Sequence, residues 1–153
     1  MATTITTWNG MLSTPSELHE WTVEIYTEGD CYLLAPELAK LGLGELVAII
    51  DGNEPLSGST SWTHMAVLTP EGYILDAEGL NDPSITLENY GWDLPKGATI
   101  QKLGTDGWSI LVKGQAESIQ TQEELEATAR ELRDWYLALG PIPARVEAQL
   151  LAA

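Results

Sequence analysis

Cysteine, basic residues and long apolar runs are all scarce in this chain, and each shortage removes a class of protein. A single cysteine, Cys31, occurs in 153 residues. One thiol makes neither an intramolecular disulfide nor a thiolate zinc cluster, so nothing points to an oxidising compartment and a cytoplasmic site of action is expected. Lys and Arg number seven against 23 Asp and Glu, for a net charge of −16. The imbalance is uneven: residues 1–95 hold fifteen acids and one lysine, Lys40, a net −14, whereas residues 96–153 hold eight acids and six bases, a net −2. Binding nucleic acid directly needs a basic patch to neutralise phosphates, and the first 95 residues cannot supply one. The longest apolar run near the middle, Leu46 to Ile50, is five residues. With the first cation only at position 40, the expectation is no signal peptide, no membrane span and no membrane partner.

What is present suits one folded unit. The 44% apolar content lies well above that of disordered chains, and the length is enough to bury a core without metals or crosslinks. A single domain over 1–153 is expected, with a catalytic core at 21–113 and a helical segment at 121–153. The layout reads as α+β: a Cys-bearing helix packed on an antiparallel sheet, closed by a C-terminal helix.

Local signals place the elements. Thr14, Pro15 and Glu17 start a short helix carrying His19, and Trp21 to Tyr26 alternates as a strand. Asp30 is a natural N-cap for a helix from Cys31 to about Leu41, with Leu33, Leu34, Leu38 and Leu41 as its apolar stripe. A buried strand follows near Leu46–Ile50. In "WTHMAVLTPEGYILDAEGL" a three-residue hairpin loop with Gly72 in the left-handed position pairs Thr69 with Tyr73. Extending that register sets Ala66 opposite Asp76 and His64 opposite Glu78, giving one polar face with His64, Asp76 and Glu78 and one apolar face with Met65, Val67, Tyr73, Leu75 and Ala77. The segment with "NDPS" and "NYGWDLPKG" reads as loop, and "ATIQKLGTDGWSILVKG" as a second hairpin turning at Gly104–Gly107. Thr121 and Glu124 form a capping box for a helix with Leu125, Thr128, Ala129, Leu132, Trp135, Tyr136 and Leu139 on one face, ending at Gly140-Pro141. A further short helix is expected from Arg145 to Leu151.

A catalytic cysteine needs a base within reach, and the base needs a third group to orient it. Cys31, His64 and Asp76 supply such a set in chain order, with Glu78 a rival for the third place. A helix N-terminus also offers free backbone N–H groups as oxyanion donors. Alternation puts Trp62 on the His64 face, where it either walls a substrate cleft or packs.

Gly-Asp-Cys-Tyr opening a helix, then a strand beginning His-x-x-Val, then a strand ending in Asp, resembles the papain-like cysteine peptidase and transglutaminase-like superfamily, in its compact bacterial and phage branch. "GDCYLLAPELAKL" and "THMAVLTPEGYILDAEG" carry the resemblance, which covers residues 28 to 80. It implies Cys31 as nucleophile, His64 as general base and acid, and Asp76 rather than Glu78 as the orienting group. It also implies hydrolysis, deamidation or transamidation of a peptide or protein amide without a cofactor, in the host cytoplasm for a phage product. Papain has a glutamine six residues before its cysteine. Here Ile25 stands there and the first glutamine is Gln101, so the second oxyanion donor is open, with Tyr26 or Thr27 as candidates.

Three further readings compete. Cys31 is also a small apolar residue suited to burial. A metal site at His64, Asp76 and Glu78 has only one imidazole to offer. The acidic charge suits either a positively charged substrate or a non-catalytic inhibitor or binding protein that mimics nucleic acid.

Overall fold

The computed structural model describes residues 11–13, 31–113, 120–140 and 142. The expected helix with His19, the strand from Trp21 to Tyr26, Thr27, Asp30 and the helix from Arg145 lie outside the described residues. In chain order the elements are β1 (Met11–Ser13), α1 (Cys31–Lys40), β2 (Glu45–Asp51), β3 (Trp62–Leu68), β4 (Ile74–Asp76), β5 (Gly79–Asn81), α2 (Pro83–Gly91), β6 (Ala98–Lys102), α3 (Gly104–Val112) and α4 (Gln122–Ala138). Among the described residues, six strands form one antiparallel sheet in the order β1-β5-β4-β3-β2-β6. The class is α+β, with the Cys-bearing helix packed on the sheet and a C-terminal helix beside it.

Both faces of the central strands are covered. On one face α1, α3 and α4 pack over Ala48, Ile50, Met65, Val67 and Leu75. On the other, Leu87 and Tyr90 of α2 pack against Val47, Ile49, Ala66, Leu68, Ile74 and Ile100. The face expected to be polar is therefore a second buried layer, in which His64 is 1% exposed and Asp76 3%. Strands covered on both sides read as near-continuous apolar runs, and "LVAII" in β2 is one.

The β3–β4 hairpin has the expected turn. The Thr69 N–H donates to Tyr73 O (2.8 Å), the Gly72 N–H to Thr69 O (2.9 Å), and Gly72 has φ +96°. Ladder pairing covers Val67↔Leu75 and Leu68↔Ile74. It does not extend to Glu78, which corrects the expected pairing of Glu78 with His64. After Asp76 the chain turns through Ala77 and Glu78 and returns as β5, pairing Asp76 with Gly79. Asp first and Gly fourth is a type I turn signature, and "DAEG" carries it.

Two more expectations are corrected. Residues after Gly104 form helix α3, not the return strand of a hairpin. Trp108, Leu111 and Val112 recur at three- and four-residue spacing toward the core, and the Gly107 N–H donates to Leu103 O at 2.9 Å. Gly107 serves close packing there, since a Cβ would stand 3.0 Å from the side chains of Leu103 and Leu56. The segment read as loop contains α2, with Asp82 as N-cap accepting from the Ser84 N–H (3.1 Å) and Pro83 in the first turn.

Helix α4 follows its sequence signals. Thr121 Oγ1 accepts from the Glu124 N–H and Glu124 Oε1 from the Thr121 N–H, both at 3.1 Å. Leu125, Ala129, Leu132, Tyr136 and Leu139 are buried, and the Tyr136 hydroxyl donates to Glu71 at the tip of the β3–β4 hairpin. Thr121→Ala should lower stability by about 1 kcal/mol, while Thr121→Ser keeps most of it. Urea unfolding midpoints at constant slope check this, and equal losses in the two variants would refute the capping role.

Candidate active site

Cys31 is the first residue of α1 and 6% exposed. The turn it opens is braced from α3. Pro36 has no N–H, so the Tyr32 carbonyl four residues earlier lacks its helical donor, and Trp108 Nε1 supplies one at 2.7 Å. The Tyr32 ring meets Trp62 edge-on, with centroids 6.2 Å apart at 66°.

Trp62 lies on the Cys31 side of the sheet, not on the His64 face that alternation implies. The cause is a bulge in β3. Ile49 pairs with His64 but Ile50 pairs with Trp62, so Thr63 is an extra residue and reverses the side on which Trp62 projects. Trp62 Nε1 donates to Leu111 O at 3.0 Å, tying the bulged end to α3.

His64 and Asp76 are joined without backbone pairing between them. The ring donates from Nε2 to Asp76 Oδ2 at 2.8 Å, and the second carboxylate oxygen, Oδ1, accepts the Glu78 N–H at 2.9 Å. Both oxygens of this buried carboxylate are thus engaged, and the turn that follows Asp76 holds its orientation. Nδ1 of His64 is buried and makes no hydrogen bond, and Cys31 is among the groups that raise the pKa of the ring. Burial is the largest influence on His64 and pulls its pKa down; the Asp76 bond, then Cys31, together outweigh it and raise the pKa to about 10.

Glu78 sits in the turn after Asp76, and its carboxylate accepts the Tyr90 hydroxyl rather than orienting His64. Tyr90 itself was missed by sequence reasoning. Its ring is stacked on the His64 imidazole, with centroids 3.8 Å apart and planes 3° from parallel. The Tyr90 carbonyl accepts Thr63 Oγ1 at 2.6 Å. Burial first, then the charge of Asp76 and the bond to Glu78, push the Tyr90 phenol far above its ordinary pKa, so it remains a neutral donor. The Asp-Pro helix start at 82–83 and the spacing of Leu87 and Tyr90 were the available signals.

Tyr26, the candidate oxyanion or substrate contact, lies outside the described residues. A groove of about 590 Å³ runs along Pro36, Ala39, Leu46 and Trp108, with Lys40, Glu45 and Lys102 at its polar positions, but contains none of Cys31, His64 and Asp76. Among the described residues no group of three His, Cys, Asp or Glu side chains is arranged to hold a metal ion, and no helix is long and apolar enough to cross a membrane. No protein-family model, curated protein or solved structure matches this chain.

Proposed function

We propose that this protein is a cysteine-dependent amide hydrolase or acyltransferase of papain-like type, with Cys31 as nucleophile, His64 as base and acid, and Asp76 as the group that orients His64. The observation carrying this reading is the buried Nε2–Oδ2 bond between His64 and Asp76, beside a cysteine at a helix N-terminus that acts on the same ring. Asp76 occupies one ring nitrogen, leaving Nδ1 to exchange a proton with the thiol.

The Cys31 sulfur attacks the amide carbonyl carbon, and the negative charge developing on the oxygen is stabilised at the positive, N-terminal end of α1. The C–N bond then breaks as the His64 imidazolium gives its proton to the departing amine. Water, or a second amine, attacks the thioester while His64 accepts its proton; the C–S bond breaks and Cys31 is regenerated. The net −14 of residues 1–95 favours a positively charged peptide or protein amide as substrate. No cofactor, membrane or nucleic acid enters this scheme, and it suits a cytoplasmic protein.

At pH 6, iodoacetamide should label Cys31 in the folded protein at least about 10-fold faster than in the urea-unfolded chain, as the general-base contribution implies. Intact-mass spectrometry follows the label. A thiol that reacts only on unfolding would overturn the enzyme reading and leave the rival drawn from the −16 charge, an acidic inhibitor or binding protein. Its complexes would weaken steeply with salt and survive Cys31→Ser.

A further inference from the structure

We infer that Tyr90 is a positioning residue for His64, a tethered aromatic face that holds the imidazole in the plane where Nε2 meets Asp76 and Nδ1 is left toward Cys31. This rests on the proposed role of the Cys31–His64 pair and adds a residue from a separate element, α2. The contacts close a circuit. His64 bonds Asp76, the Glu78 N–H bonds the other oxygen of Asp76, Glu78 accepts the Tyr90 hydroxyl, and the Tyr90 ring returns to His64 in a near-parallel stack. A second tie runs from Thr63, the bulge residue next to His64, to the Tyr90 carbonyl.

Ordinary packing would need only the ring. Here the hydroxyl and the backbone of Tyr90 are each bonded to a residue adjoining the His64–Asp76 pair, so movement of the ring relative to that pair breaks a hydrogen bond on one side or the other. An aromatic face 3.8 Å from the imidazole blocks rotation of the His64 ring out of its plane, because either edge would enter the tyrosine. Rotation by half a turn about Cβ–Cγ would exchange Nε2 with Cε1 and Nδ1 with Cδ2, breaking the bond to Asp76 and disconnecting the base from the thiol. The same face attracts the imidazolium form electrostatically. The titratable groups that act on His64 are Asp76 from β4 and Cys31 from α1; Glu78, in the β4–β5 turn, acts on Tyr90.

The test uses the full chain and its Tyr90→Phe, Tyr90→Leu and Glu78→Gln variants, with fold checked by circular dichroism. Two readouts are taken: the pH profile of Cys31 alkylation, and the ¹⁵N and ¹H resonances of the His64 ring across the same pH range. Tyr90→Phe keeps the stack and should remain within about 3-fold of the parent rate. Tyr90→Leu should lose about 10-fold or more, the scale expected for misplacing a reacting group, and should lower the pKa of His64. Glu78→Gln, which keeps an acceptor for the hydroxyl, should lie between the parent and Tyr90→Phe. A folded Tyr90→Leu protein with the parent pH profile and His64 titration would overturn the proposal. Should Tyr90→Leu not fold, the parent alone decides: a stacked tyrosine moves the His64 ring protons upfield, and their appearance at unstacked positions would overturn it. A parent thiol no more reactive than in the unfolded chain defeats the catalytic reading instead, which the ring resonances distinguish from failure of the stack.

Discussion

Replacing Asp76 by alanine should cost the fold about 3–5 kcal/mol, the range for removing one partner of a buried ion pair. The carboxylate is 3% exposed and satisfies two donors, His64 Nε2 and the Glu78 N–H. Alanine leaves the imidazole, itself 1% exposed, and a backbone N–H without their acceptor. Asp76→Asn keeps the shape and an acceptor oxygen, so it should cost less. The two losses are read from urea unfolding.

The pH dependence gives a second check. His64 has its pKa raised from 6.5 to about 10, against the pull of burial, by Asp76 and then Cys31. A base held more strongly in its protonated form by the fold contributes stability fully below the unfolded value, 6.5, and loses it as pH rises toward 10. The slope from this one group reaches at most about 1.4 kcal/mol per pH unit. In Asp76→Ala, burial acts with only Cys31 opposing it, so the decline between pH 7 and 9 should flatten. Loss of less than about 1 kcal/mol with an unchanged slope would contradict a coupled buried pair.

Replacing His64 should remove the enhanced reactivity of Cys31, by about 100-fold at pH 6, the lower end of what a positioned acid–base partner contributes. The solvent offers no substitute base in so buried a position, and the carboxylates of Asp76 and Glu78 still accept the Glu78 N–H and the Tyr90 hydroxyl. His64→Ala leaves a cavity in the core, so His64→Gln, of similar volume, serves as the control for altered packing. Both variants should label no faster than the unfolded chain under native conditions. Cys31 labelling at the parent rate in either folded variant would show that the thiol owes its reactivity to something other than His64.

How much of this was legible in the sequence varied with the range of the forces involved. The capping box at Thr121 and the stripe from Leu125 to Leu139 are local signals, and α4 obeys them. Pro70, Glu71 and Gly72 specify a turn within five residues, and the Thr69–Tyr73 bonds follow. The "DAEG" turn was equally local, but alternation was extended through it, and Glu78 was placed on a strand it does not occupy. The glycines at Gly104–Gly107 also misled: they signal a hairpin in one context, whereas here Gly104 opens a helix at φ +60° and Gly107 provides close packing within it.

The sequence by itself determined that Cys31 opens a helix, that the β3–β4 turn returns the chain toward His64, and that the class is α+β, because helix caps, turn glycines and apolar spacing act over a few residues. Only the tertiary structure decided how His64 is held. The bulge at Thr63, the covering of the His64 face by α2 and the stack of Tyr90 on the imidazole depend on residues 12 to 27 positions apart meeting across the sheet. Such contacts arise from packing two layers on one sheet, and no local propensity encodes them.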